Sequence, residues 1–148
     1  MRQLFWECTL RCNLHCRHCG SDCKEVSEVA DMPAADFLRV IDESITPYVD
    51  PHVVTIIISG GEPLMRTDLE LVGRELMKRE YPWGMVTNGM LLTERRLRTL
   101  TYAGLHSVTV SVAGLEADHN WMRGHESSYR NAMNAVRLLA RTEGIVWD

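Results

Sequence analysis

Residues 53–64 read VVTIIISGGEPL, and the two halves of that stretch ask for different things. Val53, Val54, Thr55, Ile56, Ile57 and Ile58 form a β-branched run with no polar alternation, the pattern of a strand buried on both faces. Such strands belong to parallel sheets covered by helices. Ser59-Gly60-Gly61-Glu62-Pro63 then breaks the run with two glycines and a proline, so the chain leaves the sheet in a loop. Ligands of parallel α/β sheets gather beyond the carboxyl ends of the strands. This loop therefore stands where a ligand is expected.

Working outward, the same alternation repeats. Residues 2–8 (RQLFWEC) form a short apolar stretch. The segment 33–45 carries Phe37, Leu38, Ile41 and Ile45 at helical spacing, with Asp31 and Pro33 suited to a helix start. Thr67 to Glu70 reads as a capping box opening a helix that turns Leu69, Val72 and Leu76 inward. WGMVTNG (83–89) predicts a strand and turn, and TERRLRTLTYAG (93–104) a helix closed by a glycine. HSVTVSV (106–112) is a fourth strand, Ser128 to Arg141 a fourth helix, and IVWD (145–148) the start of a fifth strand. Strands alternating with helices imply right-handed crossovers and one parallel sheet. The unusual residues cluster after the strands: Cys12, Cys16 and Cys19 after the first, the glycine pair after the second, Thr87-Asn88-Gly89 after the third, Ser111 to Gly114 after the fourth.

The chain has 148 residues, 45% of them hydrophobic and 24% charged, with a formal net charge of -4. That size suits one domain with a core. The charge balance offers no footprint for nucleic acid or an anionic membrane. No apolar run approaches the roughly 18 residues of a membrane span, and the start lacks the apolar stretch of a secretion signal. All five cysteines lie between Cys8 and Cys23. A secreted disulfide scaffold would spread them, so the expectation is a reducing cytoplasm and a metal or redox use.

The densest signal is CNLHCRHC at 12–19, three cysteines in eight residues with two histidines between them. Three thiolates on one short loop suit three irons of a [4Fe–4S] cluster, leaving the fourth iron open. The other reading is a zinc ion completed by His15 or His18. Both histidines lie within the tight loop and no second ligand pair follows, which favours the cluster.

CNLHCRHC with GGEP at 60–63 resembles the radical S-adenosylmethionine (radical SAM) superfamily. WECTLRCNLHCRHCGSDC, ISGGEPL, VTNGMLLTE and DHNWMRG are further similar to its SPASM-type branch, whose members often modify peptides or proteins. The resemblance runs over nearly the whole chain. It implies a partial parallel (β/α) barrel, of which this chain carries about four of six βα units. Cys12, Cys16 and Cys19 would hold the cluster, whose open iron takes the amino and carboxylate groups of S-adenosylmethionine (SAM). His18 would lie near the adenine. Gly60 and Gly61 would let the backbone approach the ligand, Pro63 would belong to the same cofactor-binding loop, and Glu62 would face the ammonium of SAM. Thr87, Asn88 and Ser111 would contact ribose and carboxylate, and Arg123, with its bidentate fork, would hold a carboxylate or phosphate. The implied reaction is reductive cleavage of SAM to a 5′-deoxyadenosyl radical that abstracts a substrate hydrogen. Its partners would be an external electron donor and a peptide or protein substrate.

Two departures accompany the resemblance. Ala113 stands where the branch usually has an acidic residue. The chain also ends before the fifth and sixth units and any SPASM extension, so residues 1–148 read as the incomplete N-terminal portion of a radical SAM core domain. The alternative function is a catalytically inactive fragment that binds iron–sulfur or zinc. Among the other residues, Cys8 reads as a core cysteine and Cys23 as a neighbouring or free thiol. His119 and His125 read equally as a substrate mouth or as surface loop residues. Met65, Met77, Met85, Met90 and Met133 read as core filler.

Overall fold

The computed structural model describes residues 2–148. Five strands form one sheet in the order β1 (Arg2–Glu7), β2 (Val54–Ser59), β3 (Trp83–Thr87), β4 (Leu105–Val110) and β5 (Val146–Trp147), and every neighbouring pair is parallel. Helices α1 (Ala34–Val40), α2 (Leu69–Lys78), α3 (Glu94–Tyr102), α4 (Glu116–Arg123) and α5 (Ser128–Leu139) fill the crossovers. The expected α/β parallel architecture is present. On β2, Ile56 and Ile58 are fully buried on one face, and Thr55 and Ile57 nearly so on the other. That is the two-sided burial its unbroken β-branched run requires.

The core lies between the sheet and the helices. Trp6 of β1 stacks face to face on Phe37 of α1, with ring centroids 3.7 Å apart. Leu69, Val72 and Leu76 turn inward from α2 as their spacing predicts. Trp83 of β3 is fully buried, and its indole donates to the Ala103 carbonyl at 3.0 Å. Thr93 caps α3, accepting from the Arg96 amide, and Gly104 ends that turn at φ +89.

Several local expectations need correction. The capping box at Thr67–Glu70 does not form. Asp68 occupies the N-cap, but its carboxylate is taken by the Arg66 guanidinium, while Glu70 reaches across to Arg96 and Thr99 of α3. Tertiary ion pairs outcompete the local cap. The helix expected over 33–45 changes pitch, since residues 41–45 form a π turn whose exit brings the Thr46 hydroxyl to the Ile41 carbonyl and Tyr81. Helix α4 was not foreseen. Its polar sequence EADHNWMR conceals one buried side chain, His119, and Gly124 closes it in the left-handed conformation. Of the methionines, Met85 is core, Met77 is half exposed, and Met65, Met90 and Met133 are intermediate. Among the described residues no helix is long and apolar enough to cross a membrane.

Gly73 shows how tightly α2 sits on the sheet. A Cβ there would lie 2.4 Å from the Trp83 ring and 2.9 Å from the Ala103 carbonyl. Alanine in a helix interior gains about 1 kcal/mol over glycine, but overpacking a core costs about 1–3 kcal/mol. The ring cannot retreat, because its N–H is held by that same carbonyl. Gly73→Ala is therefore expected to destabilise the fold, by about 1–2 kcal/mol in urea unfolding. A gain in stability would show that α2 has room to shift.

Candidate active site

The loop after β1 carries the cysteines, and its shape is set by backbone contacts with the glycine loop. The Gly61 amide donates to the Thr9 carbonyl at 2.7 Å and the Glu62 amide to the Arg11 carbonyl at 2.9 Å. A Cβ on Gly60 would come 2.5 Å from the Thr9 oxygen, and one on Gly61 would come 2.3 Å from the Arg11 oxygen. Gly60 also has φ +136, a conformation that disfavours other residues. The clearance of these glycines thus goes first to the cysteine loop.

Glu62 turns away from the cleft beside it. Its fully buried carboxylate accepts from the Leu64 amide (3.0 Å), the Thr87 hydroxyl (2.8 Å) and the Asn88 amide (2.8 Å). Burial pushes its pKa up, against the three hydrogen bonds that favour the charged form. Pro63 is buried as well, opening the short turn Pro63–Met65. Neither residue lines the cleft, so Glu62 is placed as a brace between the second and third strand ends.

The cleft itself has a volume of about 260 Å³. Its walls include Cys12, Cys16, Cys19 and His18 from the cysteine loop, Gly60 and Gly61, Thr87 and Asn88 after β3, Ser111 after β4, and Arg123 at the end of α4. Residues spread over 112 positions of sequence numbering are thereby brought to one cavity at the carboxyl end of the sheet. Ala113 is not on the wall; its amide donates to His119 Nδ1 at 3.0 Å.

The three thiols differ in surroundings. Burial raises the pKa of Cys12. Cys19 is exposed and its pKa is lowered, chiefly by the backbone N–H of Cys23, with help from the amides of Ser21 and Asp22. The Asn88 amide approaches the Cys12 sulfur at 3.8 Å and Arg123 Nη1 approaches the Cys16 sulfur at 3.7 Å. Among the described residues, no three His, Cys, Asp or Glu side chains converge on one ion position.

Other features escaped the sequence reading. Arg66, almost fully buried, donates to the Cys8 and Met32 carbonyls and to Asp68, with its guanidinium over the Trp6 ring. Arg17 ties the loop to α4 through the Met122 and Trp121 carbonyls and lies over the Trp121 ring. Cys23 is buried and lines the cleft, with its pKa pushed up to about 11 mainly by burial. Cys8 is core, its pKa raised to about 12 by burial. His119 is neither mouth nor surface: it is fully buried, with Nε2 2.7 Å from Ser128 Oγ. Burial and the Arg123 charge lower its pKa. Because Nδ1 accepts from Ala113, the neutral ring carries its proton on Nε2. His125 is half-buried and accepts from the Ser127 amide.

The family model of the radical SAM superfamily matches residues 6–147. The chain belongs to that superfamily. It is 29% identical over 143 residues to the AdoMet-dependent heme synthase of Methanosarcina barkeri, covering 96% of this chain and 40% of that protein. It is 28% identical over 138 residues to the PqqA peptide cyclase of Granulibacter bethesdensis, covering 92% of this chain and 36% of that one. Its fold is shared by the solved structure described as native anSMEcpe with bound AdoMet, with TM-score 0.78 and 20% identity over 99% of this chain and 42% of that one. The chain thus spans about two fifths of the length of these proteins.

The brace at Glu62 is testable without any ligand. Glu62→Gln keeps the volume but replaces one acceptor oxygen by an NH₂ that must face an N–H or O–H donor. A buried donor left without its acceptor costs about 1–3 kcal/mol. A loss of that size in urea unfolding is expected, and wild-type stability in Glu62→Gln would show that the carboxylate is protonated and not bracing.

Proposed function

We propose that this chain is the cofactor-binding portion of a radical SAM enzyme, with Cys12, Cys16 and Cys19 holding a [4Fe–4S] cluster and the adjoining cleft taking SAM. The observation that supports it best is the shared cavity: three thiols and four strand ends meet there. A cluster takes one thiolate per iron, so it does not require the three sulfurs to converge on a single ion as zinc does. When bound, cluster and SAM would supply reductive cleavage of the sulfonium and hydrogen abstraction from a substrate.

The chain's own residues would bind and orient. Arg123 lines the cavity and would offer its guanidinium fork to the carboxylate of SAM. Ser111 and the edge of the Gly60–Gly61 loop lie on the same wall for polar contacts with SAM. His18, exposed at the rim, is available to the adenine. Thr87 and Asn88 act first through the Glu62 brace, and any contact they make with SAM comes from positions that brace holds. Enclosure by Leu14 and Val86 would limit water at the reacting bond. An external donor would supply the electron. A peptide or protein substrate is part of this proposal, supported by the likeness to a peptide cyclase.

The test is anaerobic reconstitution with iron and sulfide. The wild-type chain is expected to bind about four irons with the visible absorbance of thiolate-ligated iron. Cys16→Ala is expected to lose most of that iron, whereas Cys8→Ala, whose side chain lies in the core, is expected to retain it. Unchanged iron in Cys16→Ala would overturn the assignment. Arg123→Lys removes the fork, and SAM binding to the loaded protein is expected to weaken about tenfold, or about 1.4 kcal/mol, as read by calorimetry.

A further inference from the structure

The polar side chains nearest the cysteine sulfurs point to a role in setting the redox behaviour of the site. Asn88 follows β3 and Arg123 ends α4; neither neighbours the cysteine loop in sequence. Yet the Asn88 amide nitrogen lies 3.8 Å from the Cys12 sulfur and Arg123 Nη1 lies 3.7 Å from the Cys16 sulfur. The Asn88 donor is held from behind. The Asn88 backbone N–H is bound to Glu62, its Oδ1 accepts from Met90, and its Nδ2 also donates to Asn13 Oδ1 at 2.9 Å. Arg123 stands at the helix end that Arg17 ties to the cysteine loop, and Gly124 packs there so closely that a Cβ would lie 2.6 Å from the His15 carbonyl. The third sulfur, Cys19, is exposed at the mouth of the cleft. Two of the three thiols thus have a polar side chain brought to them from a distant part of the chain.

We propose that Asn88 and Arg123 are donors to the cluster's thiolates, and that they raise its reduction potential. Reduction adds one electron to the cluster and leaves its sulfurs more negative. A hydrogen bond or a cation beside a sulfur stabilises that state more than the oxidised one. Arg123 contributes the larger share, because it brings a full charge to Cys16. The same guanidinium lines the cavity beside the cysteine loop. The inference rests on the cluster reading above and gives Asn88 and Arg123 a task that does not require SAM.

The experiment is a redox titration of the reconstituted chain, followed by the electron paramagnetic resonance of the reduced cluster and run without SAM. Leaving SAM out removes any effect of lost cofactor contacts. Arg123→Met keeps length and packing but has no donor. Its potential is expected to fall by about tenfold in the one-electron reduction equilibrium, which is about 59 mV. Arg123→Lys keeps the charge and is expected to recover at least half of the shift. Asn88→Ser keeps the backbone N–H on Glu62, withdraws the amide from Cys12, and is expected to shift in the same direction by less. If Arg123→Met loads poorly, Asn88→Ser carries the test alone. Full iron with an unchanged potential in the loaded variants would overturn the inference and leave the function standing. A wild-type chain that takes up no cluster would instead overturn the function.

Discussion

The site depends on one buried carboxylate. Glu62 has no solvent contact, yet its two oxygens collect the Leu64 amide, the Thr87 hydroxyl and the Asn88 amide. Burying a carboxylate without partners is costly, so this arrangement is stable only if all three donors arrive together. They come from two loops that leave adjacent strands, so the loop after β2 cannot move without breaking bonds to the loop after β3. The same loop carries Gly61 and Glu62 amides that grip the cysteine loop after β1. Three strand ends are thereby locked by one side chain and its neighbouring backbone.

That lock explains why the glycine pair precedes Glu62. The cysteine loop approaches so closely that any Cβ at Gly60 or Gly61 would collide with a carbonyl oxygen. The outer side of the loop is secured separately. Arg66 gathers the Cys8 and Met32 carbonyls under Trp6, the Arg11–Lys24 bridge closes the loop on itself, and Arg17 fastens it to α4. A site held on several sides loses little freedom when it takes a ligand, which is the physical content of preorganisation. Cys19 is left as the exposed thiol, cradled by amides, while Cys12 is buried. The loop is therefore asymmetric before any metal binds.

Charge is distributed in the same spirit. Among the described residues lining the cavity, Arg123 brings a full positive charge, and burial and that guanidinium lower the pKa of its neighbour His119. The acidic member of the loop, Glu62, is turned inward and fully hydrogen-bonded. The wall facing a ligand thus includes two side-chain donors, the Asn88 amide and the Arg123 fork. Such a wall suits anionic groups, whether thiolates or a carboxylate.

The parallel sheet was legible because buried β-branched runs and helical spacings are local patterns, and the order of the elements leaves few topologies. CNLHCRHC and GGEP were legible for the same reason: metal-binding spacing and a forced turn are written in consecutive residues. What the sequence could not show was direction. Glu62 and Arg123 both read as ligand contacts, yet one turns inward and the other lines the cavity, a choice made by donors about 25 residues away in the first case and by the docking of α4 in the second. Thr67–Glu70 has the letters of a capping box, but Arg66, Arg96 and Thr99 offered better partners. His119 reads equally as a substrate mouth or a surface loop residue until α4 and α5 meet around it. Spacing along the chain determined which residues are near a strand end; only packing, by deciding which polar groups had to satisfy one another out of water, determined which of them face the site.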